Sequence, residues 1–403
     1  MNGIPLMLGR IKIRIALFTD TYPPEINGVA TSCKSLHDIL VKNGHDVLVV
    51  TTNPYSRKVS FEDNIVRIPG IQLKHLYGYR MAGIYSSKAM KYIYNFNPDV
   101  IHVQTDFGVG IFGRNCANRL KCALVYTYHT MYEDYTYYFS KGHFDRVFKY
   151  FARGISSNVM SNCNGIISPS KKTKDYLRRI GVDQYTNVIP TGVDFSKFNR
   201  SKLDQNKIKE LKEKYGLNDD TFHLLSLGRV AKEKSVDFSI QCYKKFLLDN
   251  PKIESKMIIV GGGPDVENLQ NLVKELGIEN KVIFTGPCPP EEVPYYYTLG
   301  DAFVSASLSE TQGLTYMEAM ASNLFVLARY DHNLLDVIQE GETGFFFETE
   351  EEFSEKLLHV YNLRVNNETK LLKNALQSID SYSIETFYER ILGAYKHAIK
   401  QCW

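Results

Sequence analysis

Short apolar runs recur along this chain, separated by stretches long enough for a helix, and the series runs through twice. The first series is KIRIALFTD (12–20), HDVLVVTT (45–52), DVIHVQ (99–104), ALVYTYH (123–129) and GIISPS (165–170). The second is FHLLSLGR (222–229), KMIIVGGG (256–263), KVIFTG (281–286), DAFVSAS (301–307) and LFVLAR (324–329). Apolar β runs alternating with helix-length segments predict parallel strands joined by crossover helices. Between the two series lies 194–220, a polar and charged connector with one predicted helix. The expected architecture is therefore α/β: two Rossmann-like, doubly wound domains, 1–198 and 199–382, facing across a cleft. Residues 383–403 form a further helix expected to pack back on the first domain. Ligands of such sheets bind beyond the carboxyl ends of the strands, so residues just after each run are the candidates for chemistry.

At 403 residues each half can bury its own core. Seven cysteines (33, 116, 122, 163, 242, 288, 402) make no C-x-x-C pair and no zinc spacing with histidine. That pattern predicts reduced thiols in a cytoplasm. The apolar patch in the first 18 residues is interrupted by Arg10, Lys12 and Arg14, unlike the unbroken core of a secretory signal. No stretch reaches the length of a transmembrane helix. The expectation is a soluble chain, or one attached to a membrane only at its surface. The net charge of +3 conceals an asymmetry: residues 1–200 carry 26 Lys and Arg against 14 Asp and Glu, the remainder 22 against 31. A basic first half suggests that it meets an anionic surface.

The stretch SETQGLTYMEAM (309–320) sets Glu310 and Glu318 on either side of Gly313 at a predicted strand-to-helix turn. The amides of Gly313, Leu314 and Thr315 then lie at a helix N-terminus, which attracts anions. Acceptors flanking a nest of donors suit a ligand with hydroxyls at both ends and phosphate between them, as in a nucleotide-sugar. Glutamates on a solvated helix face are the plainer alternative. GRVAKEK (228–234) places Arg229 and Lys234 five apart after a strand, a planar fork and a point charge suited to a diphosphate; a solvated basic loop fits equally. Gly28 opens the first helix where backbone can approach a ligand closely. His129 ends a strand and has either a catalytic or a structural place, with Glu133 and Asp134 close behind it. GGGPD (261–265) lacks the third glycine of a dinucleotide loop, which argues against an NAD-dependent dehydrogenase. No D-x-D sequence occurs, so no metal ligands are assigned.

KGHFDRVFKYFARGI (141–155) repeats Phe144, Phe148, Phe151 and Ile155 at helical spacing among Lys141, Arg146, Lys149 and Arg153. Two readings stand: a basic amphipathic helix in a membrane interface, or a helix packing its aromatic face on the first domain. A second aromatic and basic region at 73–96 tilts the choice toward membrane. No nucleic-acid-binding module is recognisable, and no nucleic acid partner is expected.

Together these motifs resemble glycosyltransferase family 4, whose members have the GT-B fold and retain anomeric configuration. E-T-Q-G-L-T-Y-M-E, with Glu310 and Glu318, G-R-V-A-K-E-K, F-T-D-T-Y-P-P-E-I-N-G-V-A-T-S and G-E-T-G-F-F-F (341–347) occur in the family's order. H-V-Q-T-D-F-G-V-G (102–110) and T-Y-H-T-M-Y-E-D-Y (127–135) look most like the bacterial 1,2-diacylglycerol 3-glucosyltransferases, which use UDP-glucose. The resemblance implies that Glu318 binds the ribose of UDP, Glu310 a donor-sugar hydroxyl, and the amides of Gly313 to Thr315 phosphate and sugar. Arg229 and Lys234 would form a cationic clamp. His129, Arg229, Lys234 and Glu310 are then the catalytic set, and Gly28, Gly313, Leu314, Thr315 and Glu318 bind the donor. It further implies UDP-sugar, diacylglycerol and an anionic phospholipid surface as partners, at the cytoplasmic face of the membrane. No cofactor is required, with Mg2+ stimulation left open. A soluble acceptor, or a non-catalytic nucleotide-sugar-binding subunit, are the competing readings. Three departures from the family pattern stand out: Asn323-Leu324-Phe325 for Gly-x-Pro, Asp336 for a common Glu, and Ser235 for a usual Gly.

Overall fold

The computed structural model describes residues 12–25, 27–72, 80–129, 160, 162–182, 184–308, 310 and 312–402. The chain divides into two compact units, Met1–Gly192 with Ile384–Trp403, and Val193–Ser383. The division falls at Gly192 rather than at 198, because Val193 and Phe198 are buried in the core of the second unit.

In the first unit the described strands are β1 (Arg14–Phe18), β2 (Asp46–Asn53), β3 (Ser60–Glu62), β4 (Ile65–Gln72), β5 (Arg80–Ala82), β6 (Val100–Val103), β7 (Ala123–Thr127), β8 (Gly165–Ser168) and β9 (Thr186–Val188). They form one sheet in the order β3-β4-β2-β1-β6-β7-β8-β9, with β5 added on β4. Pairing is parallel except for β3 and β5 against β4. Helices α1 (Gly28–Lys42), α2 (Ser87–Phe96), α3 (Gly108–Leu120) and α4 (Lys171–Arg179) connect them. β1 is apolar on both faces because helices cover both: Phe18 faces Phe112 of α3, while Ile15 and Leu17 join the core under α1.

The second unit repeats the plan. Helix α5 (Gln205–Lys214) precedes β10 (Phe222–Leu227), α6 (Val236–Asp249), β11 (Ser255–Val260), α7 (Val266–Glu275) and β12 (Val282–Gly286). Then come α8 (Val293–Tyr297), β13 (Ala302–Ser305), α9 (Leu314–Ala321), β14 (Phe325–Arg329), β15 (Phe345–Phe347), α10 (Glu350–Val365) and α11 (Lys370–Ser378). The sheet is parallel, in the order β12-β11-β10-β13-β14-β15. The chain then returns to the first unit as α12 (Ile384–Cys402), whose Ile384, Phe387, Ile391 and Tyr395 are buried with Leu36 of α1 and Val125 of β7. Two tyrosine hydroxyls fasten that helix to the rest of the first unit. Tyr388 meets His45 Nε2 at 2.9 Å, and Tyr395 meets His102 Nδ1 at 2.7 Å.

In each unit strand order reverses beside the first strand: β1 lies between β2 and β6, and β10 between β11 and β13. Such switch points leave an opening beyond the carboxyl ends of the two diverging strands. No helix among the described residues is long and apolar enough to cross a membrane, and none of the seven cysteines is in a disulfide.

Candidate functional site

The loop after β10 is shaped by glycines. A Cβ on Gly261 would lie 1.8 Å from the carbonyl oxygen of Gly228, and one on Gly263 1.9 Å from that of Val230. The GGG run is therefore a bed on which the 228–230 backbone lies, fixed further by the Val230 amide on the Gly262 carbonyl at 3.0 Å. Beyond it, a 3₁₀ turn (Lys232–Lys234) projects Lys234, and the chain swings into α6 through Ser235 at φ +47°. Glycine adopts that left-handed conformation at no steric cost, which accounts for the glycine that the family pattern leads one to expect here.

β13 is the neighbour of β10, so its outgoing loop meets this one although 76 residues separate them in sequence. Lys234 Nζ lies 2.7 Å from Glu310 Oε1. The Asn333 side-chain amide donates to the Glu310 carbonyl at 2.7 Å and braces the loop from the opposite side. Gly313, at φ +72°, N-caps α9; a Cβ there would come within 2.6 Å of Leu334, so only glycine closes the turn. Gly313 has no side chain with which to cap α9, and the first-turn amides of Leu314 and Thr315 have no acceptor within the helix. One turn further, Glu318 accepts the Tyr297 hydroxyl at 2.8 Å on Oε2. Burial raises the Glu318 carboxyl to about 7, with that hydrogen bond opposing the rise. Arg229 points along its own loop instead, 3.7 Å from Glu233. The structure thus brings Lys234, Glu310, Gly313, Leu314, Thr315 and Glu318 to one end of the second sheet. Arg229 opens the same loop as Lys234 but pairs with its own i+4 neighbour.

In the first unit, Gly28 is the first residue of α1, N-capped by Asn27, whose side-chain oxygen takes the Ala30 amide at 2.9 Å. A Cβ on Gly28 would meet nothing within 4 Å. His129 follows β7, its Nε2 2.6 Å from Gln104 Oε1. Desolvation lowers its imidazole to about 4 and that of His102 to about 3, so both rings are neutral at physiological pH. Asp20, at the end of β1, accepts the Val109 amide at 2.9 Å and the Thr105 hydroxyl at 2.7 Å. It caps the otherwise uncapped α3 from a distance, and burial raises it to about 6. Glu133, Asp134 and the docking residues Lys141, Phe144, Arg146, Phe148, Lys149, Phe151 and Arg153 lie outside the described residues.

Two family models together match most of the chain. The model described as Glycosyltransferase Family 4 covers residues 26–197, and that described as Glycosyl transferases group 1 covers 207–378. The alpha-monoglucosyldiacylglycerol synthase of Streptococcus pneumoniae is 36% identical over 96% of this chain and 86% of its own length. The chain is a family 4 glycosyltransferase. The enzyme of the same name from Acholeplasma laidlawii is 34% identical over 93% of this glycosyltransferase and 94% of its own length. Among solved structures, Anabaena HepE in complex with UDP-glucose superposes with a TM-score of 0.72 at 17% identity, covering 95% of this chain and 99% of that one. A Rickettsia africae glycosyltransferase superposes with a TM-score of 0.74 at 18% identity, covering 97% and 100%. Both share its GT-B fold.

Three groups of this glycosyltransferase's site escape sequence reasoning. Tyr297 and Asn333 carry no motif and act only through tertiary contact. Gln104 stands in the H-V-Q-T-D stretch, two residues after His102 and so on the same face of the strand. That spacing beside His129 was the available signal.

Proposed function

We propose that this enzyme transfers glucose from UDP-glucose to the 3-hydroxyl of 1,2-diacylglycerol, forming α-monoglucosyldiacylglycerol at the cytoplasmic surface of an anionic membrane. The observation that carries the reading is the 36% identity over 96% of the chain to a synthase of that name. It is accompanied by an intact Lys234–Glu310 pair beside the glycine that begins α9.

On this reading Glu318 binds ribose, Glu310 a donor-sugar hydroxyl, and the amides from Gly313 to Thr315 the phosphate. Arg229 and Lys234 offset the charge that develops on the leaving diphosphate, and no cofactor is required. Gly28 belongs to the donor-binding set and His129 to the catalytic set, as the family resemblance implies. Among the described residues no carboxylate is assigned as a nucleophile, and on this reading the acceptor hydroxyl attacks on the face the diphosphate leaves, while a phosphate oxygen takes its proton. The anomeric configuration is retained. Support for the membrane surface comes from the basic first half and from exposed Ile84, Tyr85 and Tyr94 in the second aromatic and basic region.

Incubation of the purified enzyme with radiolabelled UDP-glucose and vesicles containing diacylglycerol tests the proposal. Label should pass to extractable lipid, with an α linkage by NMR. Label confined to water-soluble products would overturn the lipid acceptor, and a β linkage would overturn the front-face path.

A further inference from the structure

Inside the first unit, a row of buried polar groups runs from α12 to His129. Tyr395 and Thr127 each approach one nitrogen of His102 at 2.7 Å, so the in-plane positions of that ring are filled. Gln104 Nε2 lies 3.1 Å from both ring nitrogens of His102. Equal distances to two nitrogens on opposite sides of one ring carbon place the amide over the ring face, not along a lone pair. An N–H group above an aromatic face is attractive, whereas a carbonyl oxygen there would face the electron-rich surface. This decides which end of the Gln104 amide is nitrogen. Its oxygen is consequently the atom directed at His129, at 2.6 Å. A carbonyl oxygen can only accept, so the proton of the His129 ring is on Nε2. Gln104 itself has little freedom: its side chain is buried and its backbone amide donates to the Phe18 carbonyl at 2.8 Å.

We infer that Gln104 is a positioning residue that fixes His129 in the Nε2–H tautomer, so that Nδ1 serves as a hydrogen-bond acceptor for a hydroxyl of the substrate. The substrate part of this inference rests on the function proposed above; the tautomer does not. Held this way, His129 receives a proton-bearing hydroxyl and cannot itself donate from Nδ1. Its neutral state at physiological pH agrees with that role. The row is closed by its neighbours. His102, Gln104, Thr127 and His129 line one small cavity with the hydroxyls of Ser32 and Thr191.

The test reads the ring directly. The full chain is labelled with nitrogen-15 in its ten histidines, His129 is assigned with His129→Asn, and long-range proton–nitrogen spectra report which nitrogen carries the proton. Wild type should show His129 protonated at Nε2. Gln104→Leu, which removes the acceptor, should release the ring into a mixture of tautomers. In the assay above it should lower kcat on the order of 10²-fold, with a smaller change in KM for the donor. Gln104→Glu, which keeps an acceptor toward His129 but sets a carboxylate oxygen over the His102 face, should hold the Nε2 proton while drawing a second proton onto Nδ1, and turnover should stay low. Protonation at Nδ1 in wild type, or an unchanged tautomer in Gln104→Leu, would overturn the inference whatever the activity. The expected tautomers in a protein that transfers no glucose would leave Gln104 in its role and overturn the proposed reaction instead.

Discussion

Glu318 is the buried carboxyl of the second unit whose titration burial raises to about 7. Its carboxyl is neutral more readily in the folded chain than in the unfolded one, where it titrates near 4.5. Between that value and about 7 the native state binds more protons, so stability from this group is full below 4.5 and is lost as pH rises. His129 and His102 work in the opposite sense. Their folded values lie below 6.5, so they withdraw stability as pH falls through 6.5 toward 4 and 3. Glu318→Gln isolates the first effect: its Tm should gain on wild type between pH 5 and pH 8, by an amount equivalent to roughly 2 kcal/mol. A constant difference across that range would show that Glu318 is not held neutral. Arg229→Ala tests the cationic clamp. The Arg229 side chain is 43% exposed and its pair with Glu233 is long, so Tm should hardly move. Turnover should nonetheless fall on the order of 10²-fold, and a near-normal rate would show that Arg229 does not meet the diphosphate. Asn323, at φ +63° just past α9, occupies the left-handed position where the family usually has glycine, so that departure preserves the turn.

At the scale of elements, the glycine bed beneath the 228–230 loop is sensitive to any added side chain. Gly263→Ala drives a methyl group into the Val230 carbonyl, and the loop carrying Arg229 and Lys234 must lift. Stability should drop by roughly 2–4 kcal/mol, with activity falling too, measurable by chemical denaturation and initial rates. Gly393→Ala in α12 is the control, since a Cβ there meets nothing within 4 Å. It should stabilise the helix by roughly 0.5–1 kcal/mol. Ten of the parallel strands were legible because burial on both faces makes them continuous apolar runs; each named run overlaps an observed strand. β3, β4, β5 and β9 were not. β4 holds Pro69 and Gly70, residues that speak against a strand, and it survives because it lies toward the sheet edge. Glu310, Gly313 and Glu318 could be placed at a strand-to-helix turn from spacing alone. That Glu310 would hold Lys234, and that Asn333 would brace it, depends on which strands become neighbours, and nothing local in the sequence encodes that.

For the whole molecule, the segregation of charge predicts how it meets a lipid surface. Each Lys or Arg near anionic headgroups contributes about 1 kcal/mol, so docking through the basic half should weaken with salt and require anionic lipid. Cosedimentation with vesicles containing phosphatidylglycerol should capture wild type and lose the triple variant Arg146→Glu/Lys149→Glu/Arg153→Glu. Equal binding by the two would show that 141–155 is not the docking segment, and indifference to anionic lipid would favour a soluble acceptor. The return of α12 to the first unit has a further consequence, in the order of biosynthesis. A ribosome making this chain delivers nearly all of the first unit, then the whole second unit, and only then the helix that covers β7 and reaches His102. The half that is begun first is therefore completed last. During synthesis its sheet waits with the apolar surface meant for Ile384, Phe387 and Ile391 uncovered, and that interval is when the nascent enzyme is most exposed to aggregation or to capture by chaperones.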